Sequence, residues 1–271
     1  MIGAIAGDVI GSVYEGCSSR AKTFPLFSED CEFTDDSVLT IAVGSAILRS
    51  RSYGDALREW GRRYPKAGYG GWFSRWLASE DPRPYNSFGN GSAMRASPVG
   101  WAFADLESVL EHARMTADPT HNHPEGIKGA QAVAGAVFLG RTSHDKAEIR
   151  RLLVDRLGYD CSETLDQVRQ RLEFDITCQG TVPPAVIAFL ESEDFEDAIR
   201  NAVSLGGDVD TLTCITGAIA EAYYGGTPVE IQREVLRRLD PPLLEETKAF
   251  ARRFGVPLHE EAHADPGTRR V

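Results

Sequence analysis

Two short acidic strings are the strongest candidates for chemistry. Thr34-Asp35-Asp36-Ser37 stands directly before an apolar run with helical spacing, and Gly206-Gly207-Asp208-Val209-Asp210-Thr211 again puts two carboxylates and a threonine hydroxyl at the head of a small-residue helix. Taken singly, each reads as a helix start, since threonine is a good N-cap and acids in a first turn favour the helix dipole. Capping does not account for the repetition. Brought side by side, the two starts would offer four carboxylates and two hydroxyls, hard oxygen ligands suited to Mg²⁺ or Mn²⁺ and poor for zinc or copper. Four unpaired carboxylates in one pocket repel one another strongly, so the arrangement makes physical sense with cations present. A pair of divalent ions can orient substrate oxygens and lower the pKa of a bound water, supplying a nucleophile at neutral pH.

Three further segments carry groups that could meet a ligand. Asn86-Ser87-Phe88-Gly89-Asn90-Gly91-Ser92-Ala93-Met94-Arg95 flanks Asn90 with glycines and runs into a short helical segment closed by Pro98. Backbone N–H groups in such a turn can cradle phosphate oxygens. Gly-Asn-Gly turns are also common without a ligand; Ser92 could then be only an N-cap, and Arg95 could pair with a carboxylate. Thr120-His121-Asn122-His123-Pro124-Glu125-Gly126 reads first as a helix start with Pro124 in its first turn, and His121 is its candidate ligand contact. Its His-Asn-His string is no nuclease signature, because it enters a helix instead of lying on a strand–strand–helix unit. Glu15 is expected to close the first helix, where an acid opposes the dipole; a metal would hold it there, and a surface glutamate at a frayed end is the competing view. His259 and His263 have metal-ligand spacing, which an exposed polar tail explains better.

The elements that must position these groups are helices. Val38, Ile41, Ala42, Ser45, Ala46 and Leu48 recur at spacings of three and four, as do Val133, Ala134, Val137 and Phe138, while strand-like alternation is scarce. Further helical stretches are 53–64, 106–117, 143–157, 183–190, 195–204 and 228–239, and Pro241-Pro242 starts a last helix. Gly3, Gly7 and Gly11 recur at i, i+4 on one helix face. A mid-helix glycine costs about 1 kcal/mol relative to alanine, so the row predicts a neighbouring backbone in close approach. Gly217 and Ala218 fit the same idea. The expectation is an all-α fold: one compact helical domain over residues 1–256, with helix 1, helix 2 and the 208–224 helix at its centre. Residues 141–180 read as a peripheral excursion without chemistry, and residues 257–271 as a flexible C-terminal tail.

Composition narrows the function classes. A formal net charge of −11 argues against a broad phosphate-neutralising surface, so nucleic acid and anionic membranes are unlikely partners. Five scattered cysteines, Cys17, Cys31, Cys161, Cys178 and Cys214, form no Cys-x-x-Cys pair and read as reduced thiols. The first residues have no basic region, Asp8 interrupts their apolar run, and no stretch of 18 apolar residues occurs, which together suggest a cytoplasmic protein.

Taken in order, Gly3-Ala4-Ile5-Ala6-Gly7-Asp8 with Glu15, Thr34-Asp35-Asp36, Gly89-Asn90-Gly91-Ser92-Ala93-Met94-Arg95, Thr120-His121 and Gly207-Asp208-Val209-Asp210-Thr211 closely resemble the ADP-ribosylglycohydrolase family. That family includes the dinitrogenase reductase-activating glycohydrolase and the ADP-ribosylhydrolases. The likeness covers residues 1–140 and 181–225, and it is the set and its order that are specific. It implies an orthogonal helical bundle with two divalent cations, Mg²⁺ or Mn²⁺, between the acidic helix starts. By the same resemblance Thr34, Asp35, Asp36, Asp208, Asp210 and Thr211 are the metal ligands. Asn86, Ser87, Phe88, Gly89, Asn90, Gly91, Ser92 and His121 are the ADP-ribose contacts. Glu15 is similar to a flap glutamate that approaches the metals in some members and leaves when substrate binds.

The implied reaction is hydrolysis of the N- or O-glycosidic bond between ADP-ribose and a modified acceptor, on a protein or a small conjugate. The metals hold the distal ribose hydroxyls, and water attacks C1″ as an oxocarbenium-like centre develops. One carboxylate acts as base and another acid protonates the leaving group. Asp208 is the first candidate for the base, with Glu15 and Asp36 next. ADP-ribosyl-arginine is the default acceptor. Arginine-specific members use an additional acid to meet the guanidinium, and none aligns between Gly70 and Gly89, although Glu80 and Asp81 are nearby; serine linkage, O-acetyl-ADP-ribose or another small conjugate therefore stay open. A catalytically silent ADP-ribose sensor would be expected to lack metal ligands, and none is missing. A magnesium-dependent phosphohydrolase would release AMP in place of intact ADP-ribose.

Overall fold

Short polar side chains start most of the helices, as their positions in the sequence suggest. Ser52, Asp105, Thr164, Asp194 and Asp240 each accept a hydrogen bond from a backbone N–H in the first turn that follows, and Thr164 with Gln167 forms a full capping box. Left-handed glycines, Gly225 and Gly255, end two of the longest. The computed structural model describes residues 1–16 and 20–259. In order the helices are α1 (Ile2–Gly11), α2 (Asp35–Leu48), α3 (Tyr53–Arg63), α4 (Gly71–Ala78), α5 (Gly91–Met94), α6 (Ser97–Ala102), α7 (Leu106–Ala117), α8 (Pro124–Thr142), α9 (Lys146–Arg151), α10 (Leu165–Arg171), α11 (Cys178–Leu190), α12 (Phe195–Val203), α13 (Val209–Tyr224), α14 (Val229–Arg238) and α15 (Pro241–Phe254). A π-helical turn, Leu152–Arg156, extends α9. Among the described residues no β-strand forms; one isolated antiparallel bridge pairs Gly89 with Thr177.

The glycine row does what its spacing predicts. Every residue of α1 is buried, and so is α13 from Val209 to Ala222; helices apolar on all sides belong in a core. A Cβ on Gly3 would run into the Gly217 carbonyl, one on Gly7 into the Thr213 carbonyl, and one on Gly11 would lie 2.6 Å from the Asp210 Cα. The two backbones therefore touch along the whole of α1. Thr213 reinforces the contact, its hydroxyl lying 2.7 Å from the Gly7 carbonyl and 2.6 Å from the Val209 carbonyl of its own helix. The centre of the molecule is wider than expected: α2 packs against α1, while α8 and α11 pack against α13 from other sides.

Four local expectations need correction. Helix α1 ends at Gly11, so Glu15 lies in the turn beyond it and not at a helix C-terminus. Helix α11 begins at Cys178, five residues before the prolines expected to start it, because Thr177 caps it by accepting from the Gly180 N–H. The excursion 141–180 buries Ile149, Leu153, Cys161 and Val168 and then returns to the centre: the Asn90 N–H donates to the Ile176 carbonyl at 2.8 Å. At the C-terminal end, Gln232 accepts from the His259 N–H and donates to the Pro257 carbonyl, so the first residues of the expected tail are held. His263, Cys17 and the remainder of that tail lie outside the described residues. The other four cysteines are buried and free.

Gly7→Ala should cost about 3 kcal/mol or more, since neither backbone can move aside, and lower Tm on the order of 10 °C in a chain of this size. Gly54→Ala on α3, where a Cβ would meet Pro119 at 3.5 Å and Ser52 Oγ at 3.7 Å, both ordinary contacts, is the control expected to leave Tm unchanged or raised. Thermal unfolding of both variants checks the pair.

Candidate active site and metal centre

Asp8 projects from the buried middle of α1 into the start of α2. Its Oδ1 accepts the Thr34 hydroxyl at 2.6 Å, and its Oδ2 accepts the Thr34 N–H at 2.9 Å, the Ser37 N–H at 3.1 Å and the Ser37 hydroxyl. One carboxylate on a neighbouring helix thus satisfies donors that a helix start normally leaves open. Thr34 also caps α2 from its own chain, accepting the Asp36 N–H at 3.3 Å. Relieved of capping, Asp36 turns toward α13, while Asp35 Oδ1 lies beside Gly68.

At the head of α13, Asp208 occupies the N-cap position without making a side-chain cap bond. Its Oδ2 instead accepts the side-chain amide of Asn90 at 2.6 Å, which ties the glycine turn to the acids. Asp210 accepts its neighbour's N–H, from Thr211, at 2.9 Å, and the Thr211 hydroxyl reaches toward Asp36 Oδ2 at 3.5 Å. Carboxylate oxygens of Asp8, Asp36 and Asp210 lie within 4.8 Å of one another, and so do those of Glu15, Asp208 and Asp210. Asp210 belongs to both groups.

All of these acids but the fully buried Asp8 line a cavity of about 790 Å³, large enough for a ligand of nucleotide size. Thr34, Asp35, Asp36, Asp208, Asp210, Thr211 and Glu15 all line it, with Ser87, Gly89, Asn90, Gly91 and His121. Three of the expected contacts are placed elsewhere. Asn86 is exposed with its N–H bonded to the Asn122 side chain, Phe88 is 46% exposed with its ring against His123, and Ser92 is buried and donates to the Gly126 carbonyl at 2.7 Å. Glu80 and Asp81 are exposed and lie off the cavity, whose rim carries Arg63, Lys66 and Glu32. Arg95 meets no carboxylate; it donates to the Thr116 carbonyl and the Thr120 hydroxyl.

Sequence reasoning passed over Asp8 as a ligand-side residue, although a lone acid inside the apolar run from Met1 to Ile10 was the signal for it. It also missed Trp72, Phe73, Tyr85 and Ile176 in the cavity wall. No local pattern marks these, because they arrive from separate elements.

The electrostatics are those of crowded buried acids. Burial, then the charge of Asp210, pushes Asp8 up to about 7. Burial, then Asp8 and Asp210, pushes Asp35 up to about 8. Burial, then the hydrogen bond and charge of Asp210, pushes Asp208 up to about 9. Asp36 is raised well above the carboxylate range and Glu15 is raised, each by burial first and Asp210 second. Asp36 Oδ1 is buried with no hydrogen-bond partner. A donor set made of hard oxygens, crowded enough to resist ionisation and holding an unsatisfied buried oxygen, fits divalent cations.

A sequence model of the ADP-ribosylglycohydrolase family matches residues 1–265. The chain belongs to the ADP-ribosylglycohydrolase family. It is therefore a hydrolase of ADP-ribose conjugates. Among its relatives, the ADP-ribosylhydrolase ARH3 of Mus musculus is 26% identical, with 83% of this chain and 82% of the mouse protein aligned. The ADP-ribosylarginine hydrolase Tri1 of Pseudomonas putida is 23% identical, with 85% of this chain and 71% of its own length aligned. A solved ADP-ribosylglycohydrolase-related protein complex superposes with a TM-score of 0.70 at 26% identity, covering 93% of this chain and 96% of that one. No helix among the described residues is long and apolar enough to cross a membrane.

Raised carboxyl pKa values have a definite consequence for stability. The folded protein binds these protons more tightly than the unfolded chain, whose carboxyls titrate near 3.8. Folding without metal is thus favoured below that value, and the advantage is lost progressively as pH rises from 3.8 through about 7, 8 and 9. In EDTA, Tm should fall between about pH 5.5 and 8.5, and saturating Mg²⁺ or Mn²⁺ should remove most of that fall. Scanning calorimetry across the range, with and without metal, checks this.

Proposed function

We propose that the chain hydrolyses the N- or O-glycosidic bond between ADP-ribose and a modified acceptor, releasing intact ADP-ribose, with two divalent cations, Mg²⁺ or Mn²⁺. The observation that carries the reading is the pair of carboxylate groups sharing Asp210 on the floor of a cavity walled by the glycine turn and His121. Asp36, Asp210 and Asp208 would hold the cations, with Asp35, Thr34 and Thr211 at the edges of the set, and Glu15, beside Asp208 and Asp210, would stay free to carry a proton. Asp8 spends its oxygens on Thr34 and Ser37 and is assigned to holding the first turn of α2. When bound, the cations supply charge stabilisation and a more acidic water.

The chain's own groups supply orientation and proton transfer. Gly89, Asn90, Gly91 and the His121 ring line the cavity; the Gly89 and Asn90 N–H groups are taken by Ser87 Oγ and the Ile176 carbonyl, so the two glycines offer the conjugate's phosphates and riboses close approach without a side chain in the way. Asn90 fixes one oxygen of Asp208, so that Asp208 is aimed as the base toward an attacking water, with Asp36 as the alternative. Glu15, exposed at the mouth and held above its ordinary value, suits protonation of the departing acceptor. For the acceptor, ADP-ribosyl-arginine remains the default, with Glu32 on the rim as the carboxylate that could meet a guanidinium. Arg63 and Lys66 on the same rim favour a neutral O-linked acceptor such as serine or a small conjugate. The partners are accordingly an ADP-ribosylated protein or a small ADP-ribose conjugate, in the cytoplasm.

Peptides carrying ADP-ribosyl-arginine and ADP-ribosyl-serine, each incubated with Mg²⁺, Mn²⁺ or excess EDTA and followed by mass spectrometry, test the reading. Intact ADP-ribose should appear from at least one peptide, and only with metal. Asp210→Ala should lower kcat/KM by about 10³-fold or more, the scale of losing about 4 kcal/mol of transition-state stabilisation, while leaving helicity intact. AMP as the product, or undiminished turnover by the variant, would overturn it.

A further inference from the structure

Among the described residues Arg95 is the largest fully buried side chain, and no carboxylate hydrogen-bonds it, Asp35 acting on it only through its charge. Its Nη2 donates to the Thr116 carbonyl and to the Thr120 hydroxyl, both at 2.8 Å, while Nε and Nη1 are buried without partners. A buried guanidinium with two unpartnered nitrogens is destabilising, and a methionine would fill similar space without that penalty. The charge itself therefore needs a use.

That use lies one bond further on. Thr120 Oγ1 is 2.7 Å from His121 Nδ1, and the ring's other nitrogen, Nε2, abuts the glycine turn, 3.3 Å from where a Cβ on Gly91 would sit. A hydroxyl accepts twice and donates once. Thr120 accepts from Arg95, and giving its own proton to His121 Nδ1 satisfies both contacts at its oxygen. The opposite arrangement, Nδ1–H donating to Thr120, would turn the positive end of the imidazole dipole toward the guanidinium. Burial and then Arg95 hold His121 well below the ordinary histidine value, so the ring is neutral and must choose one tautomer.

We infer that Arg95, acting through Thr120, is a positioning residue that fixes His121 in its Nε2–H form, so that the ring presents a hydrogen-bond donor to an anionic or hydroxyl oxygen at the Gly89–Gly91 turn. The inference rests on the proposed function for the identity of that oxygen, a phosphate or ribose oxygen of the conjugate, but not for the tautomer. Without the relay, Nε2 would present a lone pair to the same oxygen and repel it.

The test is long-range ¹H–¹⁵N correlation NMR on the full chain with Mg²⁺ and ¹⁵N-labelled histidine, the His121 signals being assigned by their loss in His121→Asn. The wild type should show the Nε2–H pattern. Thr120→Val should shift it to a mixture or to Nδ1–H and raise KM by more than it lowers kcat. Arg95→Met should do the same, and Arg95→Lys should keep the wild-type pattern. If Arg95→Met does not fold, Thr120→Val decides. A wild-type Nδ1–H pattern, or an unchanged pattern in Thr120→Val, overturns the inference. Addition of ADP-ribose separates the two readings: an Nε2–H pattern in the free protein that ADP-ribose leaves unmoved would uphold the relay and count against the proposed ligand.

Discussion

The site depends on the direct contact between the backbones of α1 and α13. With any side chain at Gly7 or Gly11 the two helices would stand farther apart, and Asp8 and Asp210, which project from them, could not share a cluster with Asp36. The glycines that make the contact possible are poor helix formers, each costing about 1 kcal/mol against alanine in an exposed helix. Burial of both helices on all sides and the Thr213 hydroxyl compensate for this locally. Helix packing therefore sets the distance between ligand groups before any cation is considered. The same contact explains why the acids sit at helix starts: there the chain turns into the core, and backbone donors are available to steady a carboxylate.

The second constraint is electrostatic and opposes the first. Carboxylates forced together and buried resist ionisation, and the rise of Asp8, Asp35, Asp36 and Asp208 above the ordinary range measures how strongly. A fold that keeps such a cluster is destabilised at neutral pH unless positive charge enters. Stability and cation binding are thus coupled through the same atoms. Asp8 is the exception that makes the rest workable. Its hydrogen bonds to Thr34 and Ser37 turn it into a strut between α1 and α2. Arg95 shows a similar economy on the opposite wall, where a buried charge orders the hydrogen bonds around Thr120 and His121.

Much of this was legible in the sequence, and what escaped has a common cause. The helix starts at Thr34 and Asp208, the glycine row on α1 and the turn around Asn90 are local patterns governed by capping, spacing and backbone freedom, and they appear in the structure where those rules place them. Failures occurred where the deciding partner is distant in the chain. Residues 141–180 look peripheral by composition, yet Ile176 reaches the cavity because Asn90 and Phe88 pair with that segment. Phe88 and Ser92 lie within the expected contact string, but Phe88 turns its ring outward against His123 and Ser92, inside α5, donates to the Gly126 carbonyl, so Ser87, Gly89, Asn90 and Gly91 line the cavity while these two do not. Thr177 starts α11 ahead of Pro183, and packing of the buried helix against α13, α12 and α8 carries it through the two bonds the prolines remove.

In the proposed arrangement one carboxylate, Asp210, serves two cation sites held at a distance fixed by α1 against α13. Electron paramagnetic resonance of the chain titrated with Mn²⁺ tests it most directly. Two Mn²⁺ per chain with an exchange-coupled spectrum, replaced in Asp210→Asn by uncoupled Mn²⁺ at lower stoichiometry, is the expected result. A single uncoupled Mn²⁺ in the wild type, or a coupled pair that survives the loss of the Asp210 charge, would contradict it.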